Sequence, residues 1–250
     1  MITYYFNEDG VQLDKKSGQD KVVYQGAILN NITATQFRKY AAIVYAEATY
    51  YDLISQISPN APYEVMKEET LGIASAMINY TTIRFQLSNG DYNLDSMLSD
   101  TGYISSIGKR LYNEYLNTES GGDMYRRKAA SLAVLKIFGY TRSQADIDRY
   151  QGIMYWNGMN LYRISSYVPY RAKVGFELSD PAQGQIYQNT HLASQTKVLT
   201  STPATATSTI SRNMTYTYFS SHTAGGTIFF RLHSQAIRAG INSRIHQSYQ

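Results

Sequence analysis

The chain has 250 residues, a formal net charge of +4 and no cysteine. This length is enough for one large domain with a sizeable hydrophobic core. The lack of cysteine excludes disulfides, thiolate metal sites and cysteine nucleophiles. The positive charges are scattered and interspersed with acidic residues, so they do not predict a nucleic-acid-binding surface.

The N-terminus carries none of the features of an export signal. Residues 1–6 are followed at once by Asn7, Glu8 and Asp9, without a basic segment or an apolar stretch. No apolar run approaches the length that spans a bilayer. We therefore expect a chain that is made in the cytoplasm without a signal peptide, or one whose export signal has been removed, and that does not insert into membranes.

The predicted elements change from helical to β-rich along the chain. Residues 1–32 predict an irregular or short-stranded lead-in, in which 21–24 is the best candidate for a strand. Helices are expected at 34–57, 64–83, 104–117, 124–138 and 143–149. Further strands are expected at 173–178, 185–188, 214–219 and 227–232, and a basic helix at 234–246. The fold class is therefore α+β, and since no flexible linker is visible, residues 1–250 are expected to form a single unit.

The first long helix carries the carboxylate of greatest interest. Phe37, Ala41, Val44 and Ala48 form its buried face, and Glu47 lies at the border of that face. No Lys or Arg occurs within seven residues of Glu47, and burial raises the pKa of a carboxyl group in such surroundings. A carboxyl that stays protonated near neutral pH can act as the general acid of a glycosidase. The alternative is a partly buried Glu that pairs with a distant Arg or caps a neighbouring helix.

Three short motifs resemble the core of the SleB-type cell-wall hydrolases. They are IVYAEA at 43–48, LGIASAMIN at 71–79 and GIMYWNG at 152–158. The resemblance implies a mainly helical, lysozyme-like core over about residues 33–165, with a β-rich C-terminal elaboration over 166–235. It also implies that Glu47 is the catalytic residue of a lytic transglycosylase or muramidase.

The same resemblance suggests where substrate binds. Tyr155 and Trp156 would stack on sugar rings, with Asn157 as a hydrogen-bonding neighbour. Asn79 would orient the acid or a sugar acetamido group, and Tyr51 is a further substrate-binding candidate. Two structural alternatives stay open, namely that the sole Trp is a core anchor and that Asn79 is a helix C-cap.

A two-carboxylate hydrolase would need a second acidic group about 5 Å from Glu47, or roughly 6.5–9.5 Å away for inversion. The candidates are Asp52, Glu69 and Asp148, each of which could instead be a solvated surface group. A lytic transglycosylase needs only one carboxylate, and the SleB relatives are similar to that class. The resemblance therefore implies that Glu47 acts alone.

No cofactor or metal is expected. His191, His222, His233 and His246 lack the spacing of a zinc peptidase, and no phosphate-binding glycine loop or nucleotide fingerprint occurs. The expected substrate is the glycan strand of peptidoglycan, which the enzyme would meet outside the cell or in the periplasm of a target cell. An injected antibacterial toxin of this kind would have an immunity protein as its partner. The alternative is a non-enzymatic carbohydrate- or surface-binding structural protein, because the chain has 24 Tyr against 8 Phe.

Overall fold

The computed structural model describes residues 1–119, 121–158, 208–210, 214–216 and 218–232. Within these residues helices and sheets are mixed, which confirms the α+β class. The strands expected at 173–178 and 185–188 and the helix expected at 234–246 lie outside the described residues.

The first 29 residues form a four-stranded sheet, so the short-stranded alternative for this segment is confirmed and the irregular one was wrong. The strands are β1 (Ile2–Phe6), β2 (Gln12–Ser17), β3 (Lys21–Tyr24) and β4 (Ala27–Leu29). Their order is β2-β1-β3-β4, with β1 and β3 parallel. Only β3 was predicted. The sequence does not predict β2 because all six of its residues are exposed, so buried and exposed positions do not alternate along the strand.

Seven helices occur within the described residues. They are α1 (Ala34–Glu47), α2 (Tyr51–Ile57), α3 (Pro62–Arg84), α4 (Leu94–Leu98), α5 (Arg110–Asn117), α6 (Met124–Phe138) and α7 (Gln144–Tyr150). The prediction for α6 is confirmed residue for residue, and those for α3 and α7 are confirmed within two residues. The helix expected from residue 104 begins only at Arg110, and α4 was not predicted.

The helix expected over 34–57 is broken at residues 48–50, immediately after Glu47. Ala48 has an extended backbone, with ψ at 154°. The main-chain N–H of Thr49 donates to the Glu69 carboxylate at 3.1 Å, and that of Tyr51 donates to Asp123 at 2.7 Å. Distant carboxylates thus replace the helical acceptors that a continuous helix would supply. No local sequence signal announces this break.

Helix α3 is the central packed helix. It packs against α6, α1 and the strand at Ile153–Gly158, and thirteen of its residues are buried. Helix α1 begins with a capping box between Thr33 and Gln36 and buries eight residues against the same core. The small residues of α3 allow close contacts. At Gly72, a Cβ atom would lie 2.5 Å from the Phe229 ring.

A second sheet packs on α3. Its strands are β5 (Ile153–Gly158), β8 (Tyr218–Ala224) and β9 (Thr227–Leu232), in the antiparallel order β5-β9-β8. Two further strands, β6 (Ser208–Ile210) and β7 (Met214–Tyr216), pair with each other. The strand predicted at 227–232 is confirmed, whereas the one predicted at 214–219 is divided between β7 and β8.

No helix in the described ranges combines the length and the hydrophobicity that crossing a bilayer requires.

Candidate functional site: a carboxylate beside the sole tryptophan

Glu47 and Trp156 meet in the folded chain although 109 residues separate them. The indole N–H of Trp156 donates to Glu47 Oε2 at 3.2 Å. Both side chains are partly buried, so each retains some access to solvent. The two residues that the sequence singled out as acid and stacking surface are therefore neighbours.

Two elements bring this pair together. Glu47 is the last residue of α1, and Trp156 lies on β5, which packs against α3. The side-chain amide of Asn79, on α3, donates to the carbonyls of Tyr150 and Ile153 at 2.9 and 2.8 Å. These bonds hold the start of β5 against α3 and so help to fix the strand that carries Trp156.

Asn79 lies inside α3, which continues to Arg84, so the alternative that it is a helix C-cap was wrong. Its amide nitrogen is engaged with the main chain rather than with Glu47. Its part in orienting a substrate stays a prediction.

Tyr103 completes the surroundings of the pair. Its ring meets Trp156 edge to face at a centroid distance of 5.4 Å and stacks on Tyr80 at 3.5 Å. Its hydroxyl donates to the Met154 carbonyl at 2.6 Å. Burial raises the pKa of the Tyr103 phenol well above its ordinary value, and nearby acidic groups, including Glu47, add to the rise. Tyr103 is thus a neutral wall of the site.

The other predicted binding residues are placed differently. Tyr155 makes edge contacts with Tyr80 and Tyr103 at 6.3 and 5.9 Å and belongs to the same aromatic wall. Asn157 lies on β5 opposite Ile228, and its side chain is outside the described residues. Tyr51 begins α2, where its ring stacks on Tyr125 at 4.2 Å. No hydrogen bond joins Tyr51 to Glu47 among the residues that the structure describes.

Two of the candidate second carboxylates lie on the surface. Asp52 is exposed on α2, and Asp148 is exposed on α7, where it accepts a hydrogen bond from Gln144 at 2.8 Å. Neither makes a hydrogen bond with Glu47. This placement matches the alternative of solvated surface groups.

The third candidate, Glu69, is completely buried and fully engaged. It accepts bonds from the N–H and hydroxyl of Thr49, the N–H of Gly226 and the hydroxyl of Thr227, at 2.6–3.2 Å. Burial raises the pKa of Glu69, and these hydrogen bonds oppose the rise. Glu69 therefore ties the break after α1 to the turn between β8 and β9.

A further carboxylate, Asp100, was missed by the sequence reasoning. It lies near Tyr103 and adds to the rise of that phenol's pKa, as Glu47 does. Its oxygens accept bonds from the N–H groups of Gly102 and Tyr103, both at 3.1 Å, and from the Tyr80 hydroxyl at 3.0 Å. Asp100 thus fixes the turn that positions Tyr103. The Asp-Thr-Gly-Tyr turn at 100–103 was a visible turn signal, but nothing in the sequence linked it to residue 47.

Glu47 differs from Glu69 and Asp100 in how little holds it. Trp156 is its one hydrogen-bond partner within the described part of the chain, and no Lys or Arg of that part forms an ion pair with it. Glu47 is partly buried, and its second oxygen, Oε1, accepts no hydrogen bond from the described residues.

No protein-family model, curated protein or solved structure matches this chain. The assignment of a function therefore depends on the chemistry of the site itself. Across the described ranges, no group of three His, Asp or Glu residues is arranged to hold a metal ion.

Proposed function

We propose that the protein is a peptidoglycan-cleaving glycosidase of the lytic transglycosylase type, in which Glu47 is the single general acid and base. The observation that carries this proposal is the partly buried Glu47 carboxylate, which has one hydrogen bond, from Trp156, and no cationic partner in the described residues. The resemblance of the motifs at 43–48, 71–79 and 152–158 to SleB-type enzymes supports the same reaction.

In this reaction one carboxyl group serves both steps. Glu47 in its protonated form gives its proton to the glycosidic oxygen as the bond to the anomeric carbon breaks. The resulting carboxylate then takes the proton of the muramic acid 6-hydroxyl, whose oxygen attacks that carbon. The product is a 1,6-anhydro sugar, and Glu47 ends protonated, as it began. No water molecule is consumed.

The surroundings of Glu47 suit this cycle. The Trp156 N–H is fixed by β5 and can hold one carboxylate oxygen while the other faces the sugar. The aromatic wall of Trp156, Tyr103 and Tyr155 offers flat apolar faces, which suit the stacking of sugar rings. Because Asp52 and Asp148 are exposed and Glu69 is engaged by four donors, a one-carboxylate reaction is favoured over a two-carboxylate hydrolysis.

The proposal is tested by the loss of turbidity of purified peptidoglycan with the wild-type protein, Glu47→Gln and Glu64→Gln. Glu64 is exposed on α3 and serves as the matched control. We expect Glu47→Gln to lower the rate by about 10²–10⁴-fold, the usual contribution of acid–base catalysis. The control should retain the wild-type rate. A wild-type protein that binds peptidoglycan without clearing it would favour the non-enzymatic, carbohydrate-binding alternative.

As a wall-degrading enzyme, the protein would act outside the cell or in the periplasm of a target cell. An injected toxin of this type would require an immunity protein that covers Glu47 and Trp156. Such a partner should protect cells from wild-type protein directed to the periplasm, and Glu47→Gln should be harmless there without it.

A further inference from the structure

A cavity of about 450 Å³ lies between the first sheet and the helices α1, α5 and α6. None of the residues Glu47, Trp156 or Tyr103 lines it. Its volume falls within the usual range of small-molecule sites. The cavity is therefore a candidate binding site separate from the proposed catalytic one.

Aromatic side chains form much of its wall. The five rings that line the cavity belong to Tyr4, Phe6, Phe37, Tyr115 and Tyr125. Tyr115 is anchored by a 2.7 Å hydrogen bond between its hydroxyl and that of Ser131. Phe6 packs on Phe37 at a centroid distance of 4.9 Å. Such fixed rings provide a preformed surface for a flat apolar ligand.

The charges around the cavity are unbalanced. Arg38, Arg127 and Lys128 line it together with one acidic residue, Glu119. Glu119 is already paired with Lys15 at 2.6 Å, and Lys128 lies 3.9 Å from Asp9, and both of these partners are outside the lining. The charges of the two arginines have no such partner among the described residues. The region is therefore positive, and an anionic group would lower its electrostatic energy.

The two arginines are held in place by neutral groups. Arg38 donates to the Leu116 carbonyl, and Arg127 donates to the carbonyls of Tyr115 and Glu114 at 2.9 and 3.2 Å. Neither guanidinium forms an ion pair with any residue that the structure describes. Both are thus oriented while their charge stays uncompensated.

Arg127 gives a more specific indication. Its Nε–H is buried and has no hydrogen-bond partner among the described residues. A buried donor of this kind is costly unless a ligand or water accepts from it.

Burial raises the pKa of Tyr115, while its bond with Ser131 and the charges of Arg127 and Arg38 oppose the rise. Both arginines therefore act electrostatically at the cavity wall.

We propose that this cavity binds a small aromatic anion, whose ring lies on the Tyr and Phe wall and whose acidic group is bound by Arg38, Arg127 and Lys128. This site is independent of the proposed glycosidase centre. Binding requires both an apolar body and a negative charge in the ligand, and each requirement can be tested separately.

The probe is 1-anilino-8-naphthalenesulfonate, with the uncharged N-phenyl-1-naphthylamine as its neutral counterpart. Fluorescence titration should give saturable one-to-one binding of the sulfonate and at least about tenfold weaker binding of the neutral probe, since a charge-assisted hydrogen bond is worth a factor of this order. Near-ultraviolet circular dichroism and a cooperative unfolding transition would confirm that the probe binds the folded protein.

Matched variants locate the site. Arg38→Gln and Lys128→Gln should each weaken sulfonate binding by about three- to tenfold. Lys39→Gln on α1 and Lys136→Gln on α6 remove the same charge from the same helices outside the lining, and they should leave binding within about twofold. Lys128 is partly exposed, so its variant keeps the test valid if Arg38→Gln fails to fold. Equal binding of the two probes, equal losses in the control variants, or no saturable binding would each overturn the proposal.

Discussion

Glu69 is the residue whose replacement gives the sharpest test of the fold around Glu47. Its buried carboxylate joins residue 49, just beyond the end of α1, to residues 226 and 227 at the turn that precedes β9. Three of the four bonds reach Oε1 and one reaches Oε2. The two candidate replacements, Gln and Ala, remove different numbers of these bonds.

Glu69→Gln can keep its carbonyl oxygen at the Oε1 position and retain three bonds. Its NH₂ group would then face the Thr49 N–H, and this contact between two donors should cost about 1–3 kcal/mol. Removal of a buried charge offsets part of that cost. Glu69→Ala loses all four bonds, leaves buried donors unpaired and opens a cavity, so we expect at least about 3–5 kcal/mol.

The assay is equilibrium unfolding in urea, with Glu64→Gln on the same helix as control. Because Glu64 is exposed, its variant should change the free energy of unfolding by less than about 0.5 kcal/mol. The loss of unfolding free energy should be largest for Glu69→Ala, smaller for Glu69→Gln and smallest for the control, with similar m-values for all three. If Glu69→Ala were no less stable than the control, the assignment of Glu69 as a structural tie would be wrong.

The pH dependence provides a second arm of the same experiment. Since burial raises the pKa of Glu69 in the folded state, the folded protein binds that proton more tightly than the unfolded chain does. The resulting stability is present below the unfolded pKa of about 4.3 and is lost as the pH rises through the folded pKa. The stability of the wild type relative to Glu69→Gln should therefore be greater at about pH 4.5 than at about pH 8. A difference that shrinks on acidification would contradict the direction of the shift.

Three further substitutions test individual contacts. Gly72→Ala should lower the free energy of unfolding by about 1–3 kcal/mol in a urea titration, because the new Cβ would lie 2.5 Å from the Phe229 ring. This loss is expected although alanine usually favours helices. An unchanged urea midpoint would refute this packing. Asn79→Ala should cost about 1–3 kcal/mol in the same assay through the loss of two bonds to the start of β5, and Asn79→Asp should not restore them. Trp156→Phe keeps an aromatic ring but removes the N–H that donates to Glu47. The rate of peptidoglycan cleavage should therefore fall about tenfold while the melting temperature changes little. A wild-type rate in this variant would exclude a catalytic role for the hydrogen bond.

The helices that the sequence predicted well are those whose burial follows a local pattern. Helix α6 lies between the Gly-Gly-Asp break and Gly139, and both boundaries were visible in the sequence. The break in the helix after Glu47 was not visible in the sequence. It depends on Glu69 and Asp123, whose carboxylates accept hydrogen bonds from the main-chain N–H groups of residues 49 and 51. Long-range partners of this kind leave no mark in a window of neighbouring residues.

The site shows the same division. The α1 pattern placed Glu47 at the edge of the buried face, and the structure brings Trp156 to it. Tyr103 was missed because its position follows from the turn fixed by Asp100 and from stacking on Tyr80, neither of which has a periodic signal. The sequence offers Glu69 as a candidate second carboxylate, because a sequence does not reveal how many donors will surround an acidic side chain.

The most direct measurement is mass spectrometry of the muropeptides released from purified peptidoglycan in heavy-oxygen water. If Glu47 is the only acid–base group, the wild-type protein and Glu64→Gln should release 1,6-anhydro products that carry no heavy oxygen, because no water enters the bond. Glu47→Gln should release none while keeping the wild-type unfolding transition. Products that incorporate heavy oxygen at the reducing end would contradict the transglycosylase reaction, and equal product from Glu47→Gln, or no product from the wild type, would contradict the role of Glu47.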